Sequence, residues 1–96
     1  MKNFYNPDSK TAFPWLAVNE VSELIKQSEN KHPGQPWRKE TMKSLLNKLE
    51  DHLDEIKMEG CNLKDKDTKK LVLAHLTARS LMLLELQIIE EAKTDS

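Results

Sequence analysis

Cysteine is almost missing from this chain. Cys61 is the only one in 96 residues, so no disulfide can close within the chain. A lone thiol reads as a reduced cytosolic side chain, with a disulfide joining two copies as the lesser alternative. Glycine is scarce too, at two residues, and no glycine-rich phosphate loop is present. Cys/His metal spacing and a Ser–His–Asp pattern are also lacking. No segment combines polar–apolar alternation with β-branched richness, so strands are not expected. Neither sign of charge dominates: 15 basic residues face 16 acidic ones. A protein that binds nucleic-acid polymers usually carries a basic excess, so no such partner is expected. The first residues, around Phe4, Tyr5 and Pro7, contain no apolar stretch of a secretory signal.

What remains is 38% hydrophobic and 32% charged, enough for one helical domain over residues 1–96 with a modest core. Residues 1–16 read as an extended arm, because Pro7 and Pro14 oppose helix. Phe4, Tyr5, Phe13 and Trp15 lie in that arm, and its aromatics suit docking on the helices, a ligand or a neighbour. Helical spacing of Val18, Val21, Leu24 and Ile25 predicts a short helix over 17–28. Two prolines and Gly34 mark a loop before Trp37. Met42, Leu45, Leu46, Leu49, Leu53 and Ile56 form one stripe of a second helix over 37–59, which Gly60 ends. After a polar connection, which Asp65 or Asp67 closes as a cap, a third helix is predicted over 68–92.

That third helix is apolar on all sides at its centre. Thirteen of the residues in 71–89 are apolar. The stretch also contains His75, Thr77, Arg79, Ser80, Glu85 and Gln87, more polar groups than a span of about 20 residues tolerates. It therefore reads as a buried helix of a soluble cytoplasmic protein, with no membrane partner. Two shorter helices cannot surround it. The expected architecture is all-α, a short helix plus a long helical hairpin, assembling as a helical-bundle homo-oligomer.

Three groups of residues could carry chemistry. Glu20 with Glu23, and Asp51 with Asp54, are carboxylate pairs three apart on helix faces. Facing each other, they could hold Mg²⁺ and activate a water. The plainer reading is a solvated acidic surface. His75 and Arg79 lie four apart within the apolar helix. An arginine there needs an anion: a structural carboxylate such as Asp51, Asp54 or Glu85, or a ligand phosphate. Trp37, Arg38 and Lys39 follow Pro36 at an expected helix start. An indole beside two cations suits a base stacked next to phosphates, and the plainer reading is a tryptophan covering the core. The methionines read as core filler, and residues 64–70 as a solvated linker and cap.

Residues 37–85 resemble a phage and prophage family of helical domains, the N-terminal part of dATP/dGTP diphosphohydrolases. The similarity rests on Trp37 with Arg38, His52 with Leu53, Asp67 with Thr68, and Leu73, Ala74 and His75 followed by Arg79 and a leucine-rich turn ending at Glu85. The chain departs from the pattern at Val72, where the family has a histidine, and in residues 64–70, which lack its glycine. A fainter similarity to all-α nucleotide pyrophosphohydrolases of the MazG type implies acidic metal ligands, for which only Glu20, Glu23, Asp51 and Asp54 are on offer. Asp51 stands where a glutamate is expected.

These departures weigh against catalysis more than against binding. The leading expectation is a phage-type protein that binds a nucleotide or cyclic nucleotide at a subunit interface, without cofactor or turnover. Such a protein would sequester a signal of host defence, by analogy with small helical sponges. Trp15 or Trp37 would stack on the base, Arg38, Lys39 and Arg79 would meet phosphates, and His75 would orient the ligand. One alternative is a Mg²⁺-dependent nucleotide pyrophosphohydrolase. The other is a helical protein-interaction module that uses the aromatic arm.

Overall fold

A computed structural model describes residues 13–94 of the chain, and Phe4 and Tyr5 of the expected arm lie outside them. Three α-helices form: α1 (Trp15–Lys31), α2 (Met42–Glu59) and α3 (Val72–Thr94), with a 3-10 turn (Pro36–Lys39) between the first two. No strand is present among the described residues; a single antiparallel bridge joins Lys64 to Leu71. The all-helical class and the three-helix count follow the sequence pattern.

The boundaries differ in instructive ways. Trp15 and Leu16 belong to α1 rather than to an arm. Pro14 is compatible with this because it sits at the N-cap, where no amide proton is required, and its carbonyl accepts from Val18 N–H at 3.1 Å. The second helix starts at Met42, not at Trp37. Thr41 is its N-cap, and the Thr41 hydroxyl accepts from Ser44 N–H at 3.0 Å. Trp37, Arg38 and Lys39 therefore do not open α2 but occupy a separate 3-10 turn. Glu29 reaches back from α1 to this turn, accepting from Gly34 N–H at 3.0 Å and Gln35 N–H at 3.2 Å. Gly60 ends α2 as expected, at φ 101°.

The third helix begins at Val72, four residues later than its composition suggests. The delay has a local cause. The Asp65 carboxylate accepts from Asp67 N–H at 3.0 Å and Thr68 N–H at 2.9 Å, which folds residues 65–68 into a tight turn. Lys69 follows with φ 63°, a left-handed conformation that a helix cannot contain. The turn closes when Asp65 N–H donates to Lys70 O at 2.8 Å. Lys70 then reaches across to α1, donating to Glu20 at 2.8 Å and Glu23 at 3.0 Å.

α3 is the central element: α1, α2 and the 3-10 turn all pack on it. Ala74 and Ala78 form its face toward α1, where Val21 and Leu24 are buried against them. Small side chains at this spacing let the two helices approach closely. On α2, Leu45 is fully buried and Ile56 nearly so. The core is thin. Leu73, Leu81, Leu84 and Ile88 remain exposed along the far side of α3. Within one chain, α3 is covered on only part of its circumference. By length and composition alone, its segment Val72–Lys93 could also cross a bilayer.

Two stability effects are expected. Leu45→Ala removes the one large side chain that is fully buried among the described residues and should cost about 2–5 kcal/mol in urea unfolding. Lys69→Gly should stabilise by about 1 kcal/mol, because glycine adopts a positive φ without the Cβ penalty.

Candidate functional site

Two adjoining clefts lie where the C-terminal end of α1 meets α3. The larger, about 500 Å³, is bounded by α1 from Leu24 to Lys31 and His32 just after it, by the 65–68 turn and by α3 from His75 to Met82. Its volume falls within the roughly 300–1,000 Å³ usual for small-molecule sites. The smaller, about 210 Å³, is bounded by Trp37, Glu40, Lys48 and Arg79. Ser28, His32, Arg79 and Met82 line both, so Arg79 stands at their junction.

Arg79 leaves the apolar side of α3 and faces Glu40, its Nη1 lying 3.7 Å from Oε2. Glu40 also pairs with Lys48 through Oε1. Its Oε2 is buried and has no hydrogen-bond partner, since the Arg79 contact is longer than a hydrogen bond. The structural carboxylate that the sequence called for is thus Glu40, not Asp51, Asp54 or Glu85. Glu85 instead lies 3.9 Å from Arg38. One carboxylate shared by two cations in a cleft wall leaves each cation under-paired, so Arg79 and Lys48 are able to change partner.

His75 sits one turn before Arg79, half-buried and in the wall of the larger cleft. Its Nε2 lies 2.9 Å from the Thr68 hydroxyl, and that hydroxyl lies 3.2 Å from the Asp65 carboxylate. The backbone N–H of Thr68 holds the Asp65 carboxyl below its ordinary value, against an opposing effect of burial. Burial pushes the His75 imidazole below its ordinary value; the Asp65 charge opposes this, and His52 and Arg79 reinforce it. The His52 ring stands 5.6 Å from that of His75, across the α2–α3 contact.

The other expected site residues divide. Trp37 is half-buried on the smaller cleft, with the Arg38 guanidinium 4.5 Å over its ring. One indole face is therefore occupied by a cation rather than open to a base. Arg38 and Lys39 line neither cleft. Neither does Trp15, whose ring rests 4.5 Å from that of Phe13 at the start of α1. Glu20 and Glu23 share Lys70, whose ammonium they hold above its ordinary value. Asp51 and Asp54 are exposed on α2. Among the described residues, no three His, Cys, Asp or Glu side chains gather into a group able to hold a metal.

Sequence reasoning missed Asp65, Thr68, His32, Lys48 and Glu40. The Asp65 and Thr68 spacing is a recognisable turn signal, and it was read only as a cap. The other three are ordinary surface residues until the helices pack.

His75 makes stability depend on pH. Its value is depressed in the folded chain, so the unfolded chain takes up the proton first as pH falls. The contribution is fully present above the unfolded value of about 6.5 and is lost as pH falls from there through the depressed folded value. Asp65 acts only below its ordinary 3.8, outside this window. The melting temperature should drop between about pH 7.5 and 5, and His75→Gln should flatten that slope.

The family model for the dATP/dGTP diphosphohydrolase N-terminal domain matches residues 6–96, well beyond the motif-bearing stretch 37–85. It spans α1 and its cleft-lining end as well as the α2–α3 hairpin. Comparison with curated proteins and with solved structures finds no match. The chain belongs to the dATP/dGTP diphosphohydrolase N-terminal family.

Proposed function

We propose that this chain binds a purine nucleotide across the two clefts and holds it without turning it over. The observation that carries this reading is Arg79 at the junction of a large, partly apolar cleft and a small cationic one. Leu24, Ala78 and Met82 offer the larger cleft an apolar surface for a nucleoside. Arg79, Lys48 and His32 line the smaller one, which suits phosphate by size and charge. The family description, which names dATP and dGTP, supports a nucleotide as the ligand. A chain that binds without hydrolysis would act as a sink for a nucleotide or cyclic-nucleotide signal, and such a sink would serve a phage against host defence from the bacterial cytoplasm.

Hydrolysis by Mg²⁺ is the second reading, and the family description favours it. It is less well supported by the carboxylates. Lys70 already pairs with both Glu20 and Glu23, and Asp51 and Asp54 are solvated. Calorimetry with dATP, dGTP and cyclic dinucleotides, with and without Mg²⁺, separates the readings. Binding that needs no metal and leaves the ligand intact is expected. Arg79→Ala should weaken it by roughly ten- to a hundredfold, the value of about 1.5–3 kcal/mol for a hydrogen bond to a charged group. No heat with any of these ligands would end the binding reading, whereas metal-dependent release of pyrophosphate would establish the enzyme.

The exposed stripe of Leu73, Leu81, Leu84 and Ile88 supports self-association through α3. These residues recur at steps of eight, three and four, the spacing of one helix face. A second copy would cover them and complete a helical bundle. Sedimentation equilibrium should report a dimer or larger assembly, and Leu84→Lys should shift it to monomer. A monomer in the unaltered protein at high concentration would discard the assembly.

A further inference from the structure

The hydrogen bonds around Thr68 determine which nitrogen of His75 carries the proton. A threonine hydroxyl has one proton to donate and two lone pairs to accept with. The Lys70 backbone N–H takes one lone pair, at 3.2 Å, and can act only as a donor. The Asp65 carboxylate, which accepts only, takes the hydroxyl proton at 3.2 Å. The one remaining position is a lone pair, and His75 Nε2 occupies it at 2.9 Å. Nε2 must therefore be the N–H, and Nδ1 of the neutral ring is an acceptor with no partner among the described residues.

We propose that His75 Nδ1 reads a hydrogen-bond donor on the nucleoside end of the ligand, the amino group of a purine base. This assignment rests on the nucleotide reading above and gives that ligand a direction. The base enters the larger cleft, where His75 lies beside the apolar side chains of Ala78 and Met82, and the phosphates point toward Arg79 and Lys48. It gives the expectation that His75 orients the ligand a definite sense, with the ring accepting from the base rather than donating to a phosphate. A neutral imidazole whose N–H is engaged by Thr68 has nothing to donate to an anion. Thr68 and Asp65 are positioning residues, acting through the ring rather than on the ligand. A sugar hydroxyl is also a donor, but the apolar surface of the larger cleft favours a flat base.

The test compares dATP with its analogue lacking the 6-amino group and with the analogue lacking the 3′-hydroxyl. Loss of the amine should weaken binding roughly ten- to a hundredfold, because Nδ1 is left unpaired. Loss of the hydroxyl should change it little. The ratio of dATP to amine-free affinity should collapse as pH falls below the ordinary imidazole value of about 6.5, as protonation turns the acceptor into a donor. Using a ratio cancels titration of the phosphates and of the other groups around the ring. Those are Lys31 from α1 and His32 just after it, His52 and Glu55 from α2, Asp65 and Asp67 from the turn, and Arg79 from α3. Imidazole ¹⁵N shifts of the ligand-free protein should show His75 protonated at Nε2, and Thr68→Val should release that preference in the same spectrum. A His75 proton on Nδ1, or equal affinity for dATP and the amine-free analogue, would overturn the proposal. A larger effect of the 3′-hydroxyl would move the contact to the sugar. If neither nucleotide binds, the nucleotide reading fails and takes the base assignment with it, while the spectrum still judges the tautomer.

Discussion

The packing of Ala74 and Ala78 on α3 against Val21 and Leu24 on α1 is the contact on which the rest depends. It brings the C-terminal end of α1 beside the middle of α3, and both clefts exist only because those two segments meet there. Larger residues at either alanine would separate the helices and open the site from below. The same contact determines which way α3 is turned. With its alanine face on α1 and its neighbouring face on α2, His75 and Arg79 point into the clefts. The leucines on the far side then have nothing to cover them.

Much of the fold was legible in the sequence. Periodic apolar residues mark the first two helices, a continuous apolar run marks the third, and Gly60 and the Pro33 to Pro36 loop mark two of the junctions. What failed was punctuation. Pro36 followed by Trp37 reads like a helix start, and the apolar stripe beginning at Met42 seems to continue it. Thr41 is the true start because its hydroxyl reaches Ser44 N–H, a preference that threonine expresses only once the preceding residues have left the helix. At the third helix the apolar run suggests an early beginning, and the Asp65 turn overrides it. In both cases a short polar side chain competing for backbone amides decided against the hydrophobic pattern.

The site was legible in half. His75 and Arg79 stood out because polar groups within an apolar helix need a reason. Their partners did not stand out. Glu40 precedes Arg79 by 39 positions in the sequence, and Lys70 and Glu20 are 50 apart, so each pair forms only when distant segments pack. Charged surface residues are too numerous for a sequence to say which will meet. The aromatic and basic run beginning at Trp37 was overvalued for the opposite reason. Its members are adjacent in the chain, yet the 3-10 turn sends Trp37 to the cleft and leaves Arg38 and Lys39 outside it.

Glu40 gives the smaller cleft its own counter-ion. Because its carboxylate already faces both Arg79 and Lys48, the cations are never bare, and one of their two positive charges is already offset. A polyanion bound there, as proposed, would meet an exchange reaction, gaining two cations while the glutamate loses them. The strength of its hold is then a difference between two ion-pair energies, and bulk salt, which weakens both sides of the exchange, affects that difference less than it would affect a simple attraction. The glutamate also ties occupancy to the start of α2, since it lies next to the Thr41 cap. Displacing it would pull on the first turn of that helix, so the filled and empty proteins should differ most in how firmly that turn is held.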